Sequence, residues 1–264
     1  MSQRGWLALL LVLFLVLILV CWGLFLGSAL FFSLLPFQAT ETLERSIEAT
    51  SPMTLTLTND VGTINVIATD TSTIRVKATK YIRGQKRLLS RIQVHVEPKG
   101  DTLVLKGDLG DLPPGPHTAG VRWEVYIPWE MTVHIRQDTG TVTVTKGHLR
   151  LDIDQGTGSV YVNDVTLRAP SNIYVDTGSI KFRGELPPQG EVTMQVQVGS
   201  IRLRLPPTPP FHLEAKVGIG SIRVKEGTQT HTSQSHLTLD VGANPQTTLR
   251  LQVDTGNITI TTEE

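Results

Sequence analysis

The chain has 264 residues, with 24 basic and 24 acidic side chains and a single cysteine. Balanced charge leaves no electrostatic footprint for nucleic acid, and one cysteine excludes a disulfide framework. The length allows one large domain or two small ones, so stability must come from apolar burial and backbone ladders.

Residues 1–37 differ in kind from the rest. Between Trp6 and Phe37 no side chain is charged, and Leu, Val, Phe and Ile dominate. About 20 apolar helical residues cross a bilayer core, so the run predicts one transmembrane helix. It must be helical because hydrocarbon offers open backbone groups no partner. A cleaved signal has an apolar run of about 7–15 residues ending in a small-x-small site. Here Gly27-Ser28-Ala29 lies inside a longer run that continues through Leu30, Phe31 and Phe32. Val20 before Cys21 is too bulky for a lipoprotein signal. Arg4 precedes the span, whereas Glu41, Glu44 and Glu48 follow it with only Arg45 among them. The positive-inside rule then predicts a single-pass cell-membrane protein, amino terminus cytoplasmic and the remainder extracytoplasmic. Residues 38–50 read as a linker.

Residues 51–128 read as an irregular β region. Alternation marks strands at Leu55/Leu57, Ile64/Val66, Ile74/Val76, Ile92/Val94/Val96, Leu103/Leu105 and Val121/Trp123/Val125/Ile127. Residues 83–91 read as a short basic helix, and Asp108 to Gly120, rich in Pro and Gly, as a surface loop. The basic run Lys77, Lys80, Arg83, Lys86, Arg87 and Arg91 reads as a solvated face; contact with anionic lipid is the competing reading.

From residue 129 to 262 one pattern recurs: Gly, a small polar residue, then apolar-x-apolar. It starts at Gly140, Gly158, Gly178, Gly199, Gly220 and Gly256, with an earlier copy at Gly62. Asp240-Val241-Gly242 reads as a degenerate copy whose strand is lost to Asn244 and Pro245. Alternating strands precede the glycines, as at Val133/Ile135, Leu151/Ile153, Ile173/Val175, Met194/Val196, Leu213/Ala215 and Leu249/Leu251. Each unit is strand, tight turn, strand and connection, with glycine supplying positive φ or close backbone approach. Prolines fall in the connections, where no ladder donor is needed. A unit of about 20 residues cannot bury its apolar face alone, but stacked units can. The expected fold is all-β, a repetitive β-solenoid (β-helix-like) after one N-terminal transmembrane helix; the alternative is an antiparallel β-sandwich.

Asp138, Asp176 and Asp254 each begin Asp-Thr-Gly, and Val175-Asp176-Thr177-Gly178-Ser179 looks like an aspartic-protease signature. That chemistry needs two carboxylates sharing one proton. At the same phase other copies carry Gly156, Gln197 and Gly218, so the position reads as turn chemistry, since Asp side chains cap their own backbone. No phosphate loop, nucleophile elbow or Cys/His dyad occurs, and no catalytic residue or cofactor is expected. His231 and His236, five apart in a polar loop, make no metal site. Trp123 and Trp129 read as packing residues.

Lys181 and Arg183, Arg202 and Arg204, and Arg223 and Lys225 alternate outward after three repeat glycines. In-register stacking would put these six cations in two columns on three successive rungs about 4.8 Å apart. Like charges directly opposite are destabilising, so neighbouring acids or an anionic ligand must offset them. The functional reading is a basic stripe for phosphate-bearing or acidic glycopolymers or anionic lipid headgroups. The competing reading is a solvated face that discourages edge aggregation.

Together, Asn59-Asp60-Val61-Gly62-Thr63-Ile64, the strand from Val121 to Pro128 and the later Asp-x-Gly units resemble the putative-adhesin family of β-strand repeats, also called toastrack. The resemblance covers about Thr50 to Ile260. It implies an anchored or exported bacterial envelope protein and brings no catalytic residues. A non-catalytic envelope binding scaffold is therefore expected, with an envelope polymer, anionic lipid or another membrane protein as partner. The alternative is a regulatory or sensory component of an envelope-stress system acting through a membrane partner.

Overall fold

The structure is a computed structural model that describes residues 38–49, 53–113, 115 and 118–262. The apolar segment 1–37, read above as a membrane span, lies outside the described residues. Among the described residues fourteen strands join one sheet. They are β1 (Gln38–Glu48), β2 (Thr54–Thr69), β3 (Thr73–Arg83), β4 (Gln93–Lys99), β5 (Thr102–Asp108), β6 (Thr118–Pro128) and β7 (Glu130–Thr145). After them come β8 (His148–Leu167), β9 (Ser171–Glu185), β10 (Gly190–Leu205), β11 (Phe211–Glu226), β12 (Gln229–Ser233), β13 (His236–Val241) and β14 (Thr247–Thr262).

In each repeat strand the inward–outward alternation shifts near its repeat glycine, and β8 carries a further irregularity at Asp164. In β10 the buried side chains are Val192, Met194 and Val196 before Gly199 and Ile201, Leu203 and Leu205 after it. The alternation shifts by one residue because Gln197 drops out of the pairing on both sides. Both arms of the strand therefore turn their apolar faces onto one shared core. Full burial of each such aliphatic side chain is worth about 1.5–3 kcal/mol, which a single rung cannot obtain without its neighbours.

The rungs pair in parallel and in register. Gly62 aligns with Gly140, then Gly158, Gly178, Gly199, Gly256 and Gly220 in one column. Antiparallel pairing, which the sandwich alternative requires throughout, is confined to the two ends. At one end β5 covers the first arm of β2 and β6 its second arm, with β4 and β3 antiparallel beyond them. At the other end β13 and β12 run antiparallel along the first and second arms of β11. Residues 51–128 looked irregular because only β2 is a rung and the rest close the end of the stack.

Three sequence readings are corrected. Residues 38–50 are not a linker, since β1 forms there and pairs β3 at the sheet edge. Only Ala39 of β1 is buried, so the strand leaves no apolar alternation to read. The helix expected over 83–91 is a 3-10 helix limited to Lys86–Arg91, tied down by buried Leu88 and Leu89, while Arg83 ends β3. Gly242 begins no rung: β13 before it is antiparallel, and Gly242 (φ +80°) turns the chain beside Pro210.

The last correction decides the stacking order. With the outer edge of β11 taken by β12 and β13, β14 pairs the inner edge and lies between β10 and β11, parallel to both. The proline-rich connection from residue 206 to 210 therefore steps over one slot, which the carboxyl-terminal strand fills.

Candidate functional site

The repeat turns are shaped by their glycines. Their glycines have φ between 139° and 147°, a region that only glycine occupies without strain. A Cβ at Gly140, Gly158, Gly178, Gly199, Gly256 or Gly220 would fall under 3.0 Å from the carbonyl oxygen of the glycine one rung away. Gly62 meets Val121 in the same way.

Asp138, Asp176 and Asp254 occupy the corner position that drops out of the ladder, as do Gly156, Gln197 and Gly218. The rung carrying Gly156 separates Asp138 from Asp176, and the rung carrying Gln197 separates Asp176 from Asp254. No two of these carboxylates adjoin along the stack. Asp176 accepts from the Tyr174 hydroxyl, which holds that phenol above its ordinary range. Gln252 Nε2 donates to Asp254 Oδ1 at 3.1 Å. These two carboxylates are thus engaged by side chains two residues upstream, and among the described residues no turn N–H group bonds them.

A buried polar column escaped sequence reading. Asn59, Gln137 and Gln155 stack on successive rungs where the later rungs carry Val175, Val196, Val253 and Val217. Trp123, fully buried, donates its indole N–H to Asn59 Oδ1 at 3.1 Å. Gln137 Nε2 donates to the carbonyls of Gly62 (2.8 Å) and Thr139 (3.1 Å), and Gln155 Nε2 to that of Thr157 (2.9 Å). The signal available was a polar residue three before a repeat glycine. Trp129 is half exposed and lies against His148, its ring 6.0 Å away. Among the described residues no group of three or more His, Cys, Asp or Glu is placed to hold a metal.

The two outward faces differ in charge. On the first arms, several cations and histidines lie beside carboxylates of other strands, whereas among the described residues Arg150 and Lys216 have no carboxylate within 4.0 Å. Arg250 meets Glu191 at 2.8 Å and Glu214 at 3.1 Å, His134 meets Asp152 at 3.0 Å, and Arg136 lies 4.0 Å from Asp154. His212 joins Asp240 of β13. The hydrogen bond to Glu214, with the charge of Glu191, holds the Arg250 guanidinium above its ordinary range.

The second arms carry the six predicted cations. Register puts Lys181 beside Arg202 and Arg183 beside Arg204 on adjacent rungs. Arg223 and Lys225 do not continue those columns directly. Thr259 of β14 stands between Arg202 and Arg223, and Thr261 between Arg204 and Lys225. The expectation of three successive cationic rungs is thereby corrected, because the carboxyl-terminal strand enters as a neutral rung. Among the described residues Lys181, Arg202, Arg223 and Lys225 have no carboxylate within 4.0 Å, whereas Arg183 lies 3.7 Å from Asp164. Lys181 Nζ sits 4.9 Å from the Tyr161 ring centre. Tyr161, Asn163, Lys181, Arg183, Arg202 and Arg204 border a shallow depression of about 430 Å³. The earlier basic run is dispersed: Lys77 pairs Glu124 (3.7 Å), Lys80 pairs Glu41 (3.0 Å), and Arg91 donates to the Asp111 carbonyl (2.7 Å).

This architecture defines an all-β repeat protein registered on a glycine column. The fold is shared with the crystal structure of a putative cell adhesion protein from Clostridium sporogenes. That likeness has a TM-score of 0.52 at 13% identity, over 85% of this chain and 100% of that one. A putative adhesin from Bacteroides fragilis gives a TM-score of 0.41 at 12% identity, over 83% of this chain and 97% of that one. No protein-family model and no curated protein matches the sequence. The resemblance read from the residues thus extends to the fold.

Proposed function

We propose that the chain is a non-catalytic, adhesin-like binding protein of the cell envelope, anchored by residues 1–37, whose parallel rungs coil as a solenoid. Its second-arm face meets an anionic envelope component. One observation carries this reading: on the first-arm face Arg136 and Arg250 meet carboxylates across rungs and only the scattered Arg150 and Lys216 do not, while among the described residues the second-arm face gathers four cations with no carboxylate within 4.0 Å, Lys181, Arg202, Arg223 and Lys225, on nearby rungs. Cross-strand ion pairs are as available to one face as to the other, so the face where unpaired cations cluster is the one suited to an external anion. The anchor reading rests on the uncharged run from Trp6 to Phe37.

Binding of the detergent-solubilised full chain to polyanions tests the proposal. Arg202→Glu with Arg223→Glu should weaken binding more than about tenfold. Arg136→Glu with Lys216→Glu, an equal charge change on the first-arm face, should change it by less than about threefold. Equal losses from the two double variants would defeat the assignment of the face. Replacing residues 1–37 by an unrelated span should leave polyanion binding intact, whereas a regulatory role through a membrane partner would require the native span.

A further inference from the structure

We infer that the neutral rung contributed by β14 is itself the seat of the ligand, and that the group it seats is a phosphate of an extended phosphate-bearing polymer. This deepens the basic-face reading and rests on it. Thr259 has Arg202 on one side and Arg223 on the other, and Thr261 has Arg204 and Lys225. Each flanking strand lies about 4.8 Å away. Two hydroxyls are therefore set in a frame of four cations, two from each neighbouring rung. Thr259 and Thr261 are half-buried between these longer side chains. Among the described residues neither hydroxyl has a protein hydrogen-bond partner. Some outward hydroxyls are used within the protein, as where Ser159 and Ser179 pair at 3.1 Å and Ser221 donates to Asn257 at 2.9 Å, but among the described residues only Thr259 and Thr261 stand in register between basic side chains of two repeat rungs.

The insertion of β14 changes the electrostatics of the column. Had β11 stacked directly on β10, Arg202 and Arg223 would be direct neighbours and would repel. With a threonine rung interposed they stand about 9.6 Å apart at the level of the backbone, leaving room for one oxyanion over each hydroxyl. Donors then arrive from two sides and from below. A phosphate meets that arrangement with divergent tetrahedral oxygens, whereas the lone pairs of a carboxylate lie in one plane. The arginines bring the guanidinium fork that suits phosphate. Beyond Arg202, the Lys181 and Arg183 rung extends the cationic track along the stacking direction, so the occupant is a chain of phosphates lying across the rungs.

The test compares long-chain inorganic polyphosphate with poly-L-glutamate, titrated against the full chain and against Thr259→Val/Thr261→Val. Valine keeps the β-branched shape that suits a strand, and a Thr259→Ser/Thr261→Ser variant retains both hydroxyls. The inference expects the valine variant, which loses two hydrogen bonds to charged groups, to bind polyphosphate more weakly by about a hundredfold or more. It expects poly-L-glutamate binding to be unchanged and the serine variant to hold wild-type selectivity. If both polymers bind and the valine variant leaves their ratio unaltered, the threonine seat is wrong while the basic face stands. Failure of both polymers to bind the wild-type chain would overturn the face and the seat together. Binding confined to phosphatidylglycerol vesicles would replace the polymer by a lipid surface.

Discussion

Replacing one repeat glycine by alanine tests the register of the stack at a single methyl group. Gly178 has φ +147°, and its added Cβ would meet the carbonyl oxygen, carbonyl carbon and nitrogen of Gly158. The backbone conformation alone costs a non-glycine residue about 1–3 kcal/mol. The overlap is with backbone held in the ladder on both sides, not with a side chain that can swing away, and overpacking of that kind adds about 1–3 kcal/mol. Gly178→Ala should therefore cost about 4 kcal/mol. Gly100 is the matched control: its φ is +58° and nothing lies within 4 Å of an added Cβ. Its alanine variant should lose only about 1–2 kcal/mol for the left-handed conformation, partly offset by a stiffer unfolded chain. Urea denaturation followed by far-ultraviolet circular dichroism measures both. If Gly178→Ala fell within about 1 kcal/mol of Gly100→Ala, close stacking of the glycine column would be refuted.

Asn59→Ala should leave the Trp123 indole N–H buried without its acceptor, at a cost of about 1–3 kcal/mol; an unchanged urea midpoint would contradict the pairing. Asp108 is hydrogen-bonded by Lys106 at 2.9 Å and by the Gly110 N–H at 2.7 Å, which hold its carboxyl below the usual range. A depressed folded pKa stabilises above the unfolded value of about 3.9 and is lost as pH falls through the lower folded value. The stability gap between the native chain and Asp108→Asn should accordingly shrink on acidification from pH 7 through that range, and a gap that widens would reverse the assignment. Polyanion binding through the second-arm face should weaken steadily with added salt; salt-independent affinity would point to an apolar surface instead.

The register of the rungs was legible because a glycine recurs at one phase, and each rung needs it for the same reason, close approach to the next backbone. Rung order was hidden for that same reason. In-register parallel neighbours all carry one pattern, so β14 matches β10 and β11 equally well, and only occupied edges decide where it goes. A local clue lay at Glu226-Gly227-Thr228-Gln229, where Gly227 and Thr228 form the two-residue loop of the β11–β12 hairpin. That hairpin takes the outer edge and sends β14 inward. The six cations were visible as outward positions, while the threonines between them were not, because β14 lies 36 residues after β11 at the repeat glycine. β1 was missed because a strand with one buried side chain carries no apolar signal.

The place of β14 supports both the fold order and the proposed seat, and disulfide trapping measures it directly. In a Cys21→Ser background, Thr259→Cys should crosslink with Arg202→Cys and, in a separate variant, with Arg223→Cys, since facing Cα atoms about 4.8 Å apart allow a disulfide. Arg202→Cys with Arg223→Cys, about 9.6 Å apart across two rungs, exceeds the roughly 7 Å limit and should stay reduced. Efficient crosslinking of that last pair, with none to Thr259→Cys, would contradict the inserted strand and the ligand seat built on it.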